Sequence, residues 1–161
     1  MSARDDFLHL LRDRRARFHL LLGEAGLDPA SDRDLAATAG GGWSLALHLV
    51  HIAAWERRYA RVAARRPKLP YPSQWQQFND AVLDHWSGVT PVAAREEYDE
   101  AHDELVGAVG ALDAEGDPTR PKLLVGWNLG MAPRHYREHA TIVAEHFGLG
   151  PVPIWRGRIV D

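Results

Sequence analysis

Apolar residues recur along this chain at spacings of three and four over four long stretches, which Gly- and Pro-rich breaks separate. In the first stretch, from about Asp5 to Ala25, Phe7, Leu8, Leu11, Phe18, Leu21 and Leu22 share one side of an amphipathic helix that Gly26 ends. Residues 28–42 are small and polar and include Gly40-Gly41-Gly42, which predicts a loop with room for a short helical turn. Ser44 is a suitable N-cap for a second helix reaching about Arg66 and stopping before Pro67. Its apolar stripe is Leu45, His48, Ile52, Trp55, Tyr59 and Val62, with Arg57, Arg58, Arg61 and Arg65 on the opposite side.

Pro67 to Pro72 reads as an extended connector, and Ser73 to Trp86 as a shorter helix packing through Trp75, Phe78, Val82 and Trp86. Thr90-Pro91 pairs an N-cap with proline at the first helical position, opening a third long helix to about Leu112. Residues 113–129 form a Gly-, Pro- and Asp-rich loop, and a last long helix runs from about Met131–Pro133 to Gly148. Four main helices joined by connections this long predict an all-α protein, a four-helix bundle with long crossing connections. The bundle is expected over residues 1–150, with residues 151–161 a tail packed on it or on a partner subunit.

A chain of 161 residues suits one domain, and 45% hydrophobic with 25% charged residues is ordinary globular composition. No apolar run approaches the roughly 18 residues of a membrane span, and the N-terminus has no apolar signal core. The expected location is cytoplasmic, without a membrane partner. The absence of cysteine excludes disulfides and thiolate chemistry, leaving His, Asp and Glu as metal ligands. A net charge of -3 argues against a dedicated nucleic-acid binder. The arginines of the second helix, with no aromatic residues interleaved among them, read as a solvated face.

Against this background the histidines stand out. His135 and His139 lie four apart on the last helix, so their imidazoles can converge on one ion. They share a stripe with Ile142 and His146, which turns them toward the bundle, where an imidazole without a partner is unfavourable. His146 is roughly 10 Å further along the axis, too far to share the ion, and is expected to interact with the helix C-terminus. A third imidazole from the second helix would leave one coordination position open, as in catalytic zinc sites. His48 and His51 are both candidates for it, and spacing alone does not choose between them.

The segment Gly42-Trp43-Ser44, with His51 eight residues after the tryptophan and then Ile52-Ala53-Ala54-Trp55-Glu56, resembles the DinB-like superfamily of metal-binding four-helix bundles. The late His135-Tyr136-Arg137-Glu138-His139-Ala140-Thr141-Ile142 matches the second motif of that superfamily. The resemblance covers about residues 5–148 and implies His51, His135 and His139 as metal ligands, with His48 and Trp55 as pocket residues toward a cofactor. Zinc is the expected ion, and nickel or iron also suits imidazole ligands.

Members of the superfamily include transferases and isomerases that use low-molecular-weight bacterial thiols, and hydrolases. The resemblance therefore implies a metal-dependent thiol S-transferase acting in detoxification or stress response, with a small electrophile and a thiol as partners. A non-catalytic protein that binds or sequesters a small ligand, and a metal-dependent hydrolase, are the alternatives. Glu56 and Glu138 are candidates to steady a ligand histidine or handle a proton, although Glu138 falls off the histidine stripe and reads as a surface carboxylate. Trp127, just before the ligand helix, is expected to wall the site. Trp155 sits in an apolar tail that must cover the bundle or pair two copies into a homodimer.

Overall fold

The structure, a computed structural model, describes residues 3–112 and 131–153. Six helices are formed by the described residues: α1 (Ala3–Glu24), α2 (Asp32–Ala36), α3 (Leu45–Ala63), α4 (Trp75–Trp86), α5 (Pro91–Gly110) and α6 (Met131–Phe147). No strand occurs among these residues, only an isolated bridge between Thr38 and Ser44. The fold is all-α, as the periodicity predicts. The small, polar segment before α3 uses its room for a helical turn as α2.

Both expected caps form. Ser44 Oγ accepts from the Leu47 amide, Thr90 Oγ1 accepts from the Ala93 amide, and Pro91 follows at the first helical position. Helix α3 ends at Ala63, three residues short of the predicted Arg66. The reason is a left-handed turn at Arg65 (φ 53°), which lets the Arg65 and Arg66 amides bond the Val62 and Arg61 carbonyls. That double closure ends a helix from within, before the proline downstream acts. Helix α4 begins at Trp75 because the Gln74 side chain caps it by accepting from the Gln77 amide.

Among the four long helices, α3 packs on α5 and α1 on α6, and contacts of α3 with α6 and of α1 with α5 close the ring. The enclosed core takes Phe7, Leu11, Phe18 and Leu22 from α1, Leu45, Leu49 and Ile52 from α3, Leu105 and Val109 from α5, and Ala140 and Val143 from α6. Helix α4 lies outside this ring against α3, where Phe78 and Val82 bury themselves with Ala54 beside Trp55. This placement brings α4 to the side of α3 that carries His51. Val152 of the tail is buried against the main core, and the tail from residue 154 lies outside the described residues. No helix among the described residues is long and apolar enough to cross a membrane.

Candidate metal centre

Helices α3 and α6 meet at a cluster of four imidazoles. His51 Nδ1 lies 2.9 Å from His139 Nε2 and 3.3 Å from His135 Nε2, and the two α6 nitrogens are 3.2 Å apart. The three histidines expected to share an ion are thus brought together in a group that could hold one, and it is His51 rather than His48 that joins the α6 pair. His51 and His139 are buried, while His135 keeps 14% of its side chain exposed and forms the outer edge of the cluster.

The outer nitrogens of His51 and His135 face atoms that can only accept a hydrogen bond, and that of His139 faces a second imidazole. His51 Nε2 donates to Asn79 Oδ1 at 3.0 Å, and Trp55 Nε1–H donates to the same oxygen at 2.9 Å, which fixes the orientation of the amide. His135 Nδ1 donates to the Glu138 carboxylate at 2.9 Å. His139 is held through an intermediary: His48 Nε2 donates to the Gly40 carbonyl at 3.2 Å, so its neutral ring presents Nδ1 as an acceptor. His139 Nδ1–H donates to that atom at 2.8 Å. With protons on all three outer nitrogens, the inner nitrogens converge as lone pairs about 3 Å apart, which repel unless a cation lies between them.

Burial supports the same protonation state. It pushes His51 and His48 down to about 4 and His139 well below its ordinary value, so each is neutral at pH 7. The hydrogen bond from His135 holds the Glu138 carboxyl below its usual range, so this partner stays ionised. A tetrahedral ion with Zn–N bonds of 2.0–2.1 Å sets its nitrogens about 3.3–3.4 Å apart. The observed 2.9–3.3 Å triangle accepts such an ion with shifts of a few tenths of an ångström. The residues present fit a divalent metal.

The glycine run before α3 shapes one wall. Gly40 adopts φ +109°, and a Cβ there would stand 2.6 Å from the Ile142 carbonyl oxygen of α6. Glycine is therefore required for the loop to approach α6 and aim its carbonyl at His48. The same loop turns back through Ala39 N–H to the Trp43 carbonyl and Trp43 N–H to the Gly40 carbonyl. Trp43 is thereby seated over the cluster, its ring 5.2 Å from His51 and 5.3 Å from His48. Trp55 lines the other side, 5.7 Å from His135.

Several expectations change. Glu138 is an exposed carboxylate, as its place off the stripe predicts, and it also bonds a histidine of the triad, because residues three apart on a helix are neighbours. Glu56 does not reach the triad. It is buried with Tyr136 and His102, accepting from Tyr136 Oη at 2.8 Å and His102 Nδ1 at 3.2 Å, in a polar network joining α3, α5 and α6. His146 lies at the exposed end of its stripe. His48 engages both ring nitrogens within the protein. The histidine motifs do not point to Asn79 or Gly40, although a polar residue next to Phe78 on the packing side of α4 is a signal for the first. Trp127 and Trp155 lie outside the described residues.

A small all-helical bundle carrying a largely buried three-histidine cluster able to hold a metal ion is the class of protein that fold and site define. The family model described as the DinB superfamily matches residues 3–143, and the chain belongs to that superfamily. No curated protein and no solved structure matches the chain.

Proposed function

We propose that this protein is a metal-dependent transferase that joins a low-molecular-weight thiol to a small electrophile, in detoxification or stress response. The observation that carries the reading is the convergence of three ring nitrogens, from His51, His135 and His139, within 2.9–3.3 Å of one another. Three neutral imidazoles leave a divalent ion its full charge, and such an ion lowers the pKa of a thiol or water placed on it. Zinc is the proposed ion because it suits imidazole ligands and a tetrahedral site with one open position.

The chain's own groups have distinct parts in this proposal. Asn79, Glu138 and His48 hold the three imidazoles in one tautomer and raise their basicity as ligands. Trp43 and Trp55 wall the site with aromatic surface, and Trp55 stands beside the more exposed histidine, His135. With no cysteine in the chain, the reacting sulfur belongs to the cosubstrate.

Protein purified without a histidine tag should carry one divalent ion per chain, and His139→Ala should lose it. Consumption of thiol with a panel of electrophiles should require the ion and should vanish in His51→Ala. Hydrolysis without added thiol would move the assignment to a hydrolase. Tight ligand binding without turnover would make this a sequestering protein.

A further inference from the structure

The basic residues of α3 divide into two groups that the sequence does not distinguish. Arg57 is enclosed by carboxylates of α5, with Glu97, Glu100 and Glu104 at 2.9, 3.2 and 2.8 Å from its terminal nitrogens. Arg58 and Arg61 turn instead toward the α3–α4 connector, where their hydrogen bonds go to neutral backbone carbonyls. Arg58 Nη2 donates to Ser73 O at 2.7 Å and Arg61 Nη1 to Pro67 O at 3.1 Å. Arg58 Nη1 and Arg61 Nε are buried donors with no acceptor among the described residues. A buried donor left in this state is costly, and a charged one more so.

These two arginines line a pocket of about 160 Å³ together with Arg66, Lys68, Tyr71 and Phe78. No acidic residue lines it among the described residues. Arg66 makes a 3.5 Å contact with Glu104, and Lys68 donates to the Ser73 hydroxyl at 3.4 Å. Four cations therefore face one small space with little neutralisation inside it. Tyr71 and Phe78 meet edge to face, 5.5 Å apart, and supply an apolar wall. Arg58 is already fixed by stacking, its guanidinium 4.7 Å from the Phe78 ring and 5.0 Å from that of Trp55. Little of its side-chain freedom remains to be lost on binding.

We propose that this pocket binds a dianionic organic phosphate, the phosphate held among Arg58, Arg61, Arg66 and Lys68 and its apolar part laid on Tyr71, which the buried Phe78 backs. Four cations favour a double charge over a single one, and the guanidinium fork matches phosphate oxygens in pairs. The volume is below the roughly 300–1,000 Å³ of sites for drug-sized ligands, so it takes a compact group. The pocket is separate from the histidine cluster. His51, Trp55, Arg58 and Val62 follow one another along one face of α3, and the seven residues from His51 to Arg58 span about 10 Å of helix. The proposal is independent of the reaction assigned to the triad.

The test is titration of the whole chain with phenyl phosphate in a phosphate-free buffer, by calorimetry, on zinc-loaded and on chelator-treated protein. One molecule should bind per chain with the same affinity in both forms. Arg61→Gln should weaken binding about tenfold or more, as loss of a charge-assisted hydrogen bond does, while Arg33→Gln, on α2, leaves it unchanged. Arg61→Lys, which keeps the charge and loses the fork, should fall between. Tyr71→Ala should remove the preference for phenyl phosphate over inorganic phosphate. Circular dichroism of each variant separates lost binding from lost fold. Absence of saturable binding, binding abolished by chelation, or equal affinity in the wild type, Arg61→Gln and Arg58→Gln would overturn the proposal.

Discussion

Replacing Asn79 by leucine is the perturbation that most directly probes how the centre is built. Asn79 is on neither metal-facing helix, yet its Oδ1 accepts from both His51 Nε2 and Trp55 Nε1. Leucine has similar bulk and no acceptor, so two partly buried donors are orphaned together. Each orphaned donor costs about 1–3 kcal/mol, which puts the expected loss of stability in metal-free protein at roughly 2–5 kcal/mol after partial relaxation. The effect on metal binding has a separate cause. Without the Asn79 oxygen, the His51 proton is free to move to Nδ1, the nitrogen that faces His135 and His139. Loss of such a partner lowers metal affinity by about 10–100-fold, or roughly 1.4–2.7 kcal/mol. The assay is competition for Zn(II) against a chelator of known affinity, with Co(II) absorption reporting whether the site stays tetrahedral. Asn79→Asp keeps an acceptor for both donors and should retain or strengthen binding. A folded Asn79→Leu protein that binds zinc within threefold of wild type would refute the tautomer argument.

Three further outcomes follow from the same geometry. His48 and His51 are held down to about 4, so the metal-free fold keeps their full contribution above the unfolded value near 6.5 and loses it as pH falls toward 4. Urea unfolding at pH 7.5 and 4.5 should therefore differ by about 2–3 kcal/mol for each imidazole, with lower stability in acid, and an unchanged midpoint would contradict their burial as neutral groups. Gly40→Ala should cost about 1–3 kcal/mol from its φ of +109° and more from the 2.6 Å contact with Ile142, and should weaken metal binding by displacing the carbonyl from His48; thermal melts and zinc competition measure the two effects. Tyr136→Phe removes a donor from the buried Glu56 carboxylate and should cost about 1–3 kcal/mol of stability. The same variant should leave zinc affinity within threefold, because Glu56 and His102 do not touch the triad, and a large change in zinc competition would show the two clusters to be coupled.

The elements were legible in the sequence because a helix is a local object. Its apolar period, its caps at Ser44 and Thr90 and its neighbouring pair His135–His139 are all written within a few residues of one another. The choice between His48 and His51 was not local. Both face the bundle, and motif resemblance rather than spacing selected His51. Only the packed structure separates the two, His51 joining the α6 pair in the cluster that could hold an ion and His48 bonding His139 from behind. The partners Gly40, Asn79 and Glu138 depend on the rotation of three helices about their axes and on a glycine loop pressed against α6. Glu56 is turned into the core away from the triad for that reason, while Glu138, exposed and off the buried stripe, still meets a neighbour three residues away. The arginine run of α3 is uniform in sequence, and tertiary structure divided it. Glu97, Glu100 and Glu104 come from α5, whereas the connector before α4 offers Arg58 and Arg61 only backbone carbonyls and an aromatic wall. Local periodicity determines which residues share a helix face, and only the packing of one face against another decides which polar atoms are left to meet.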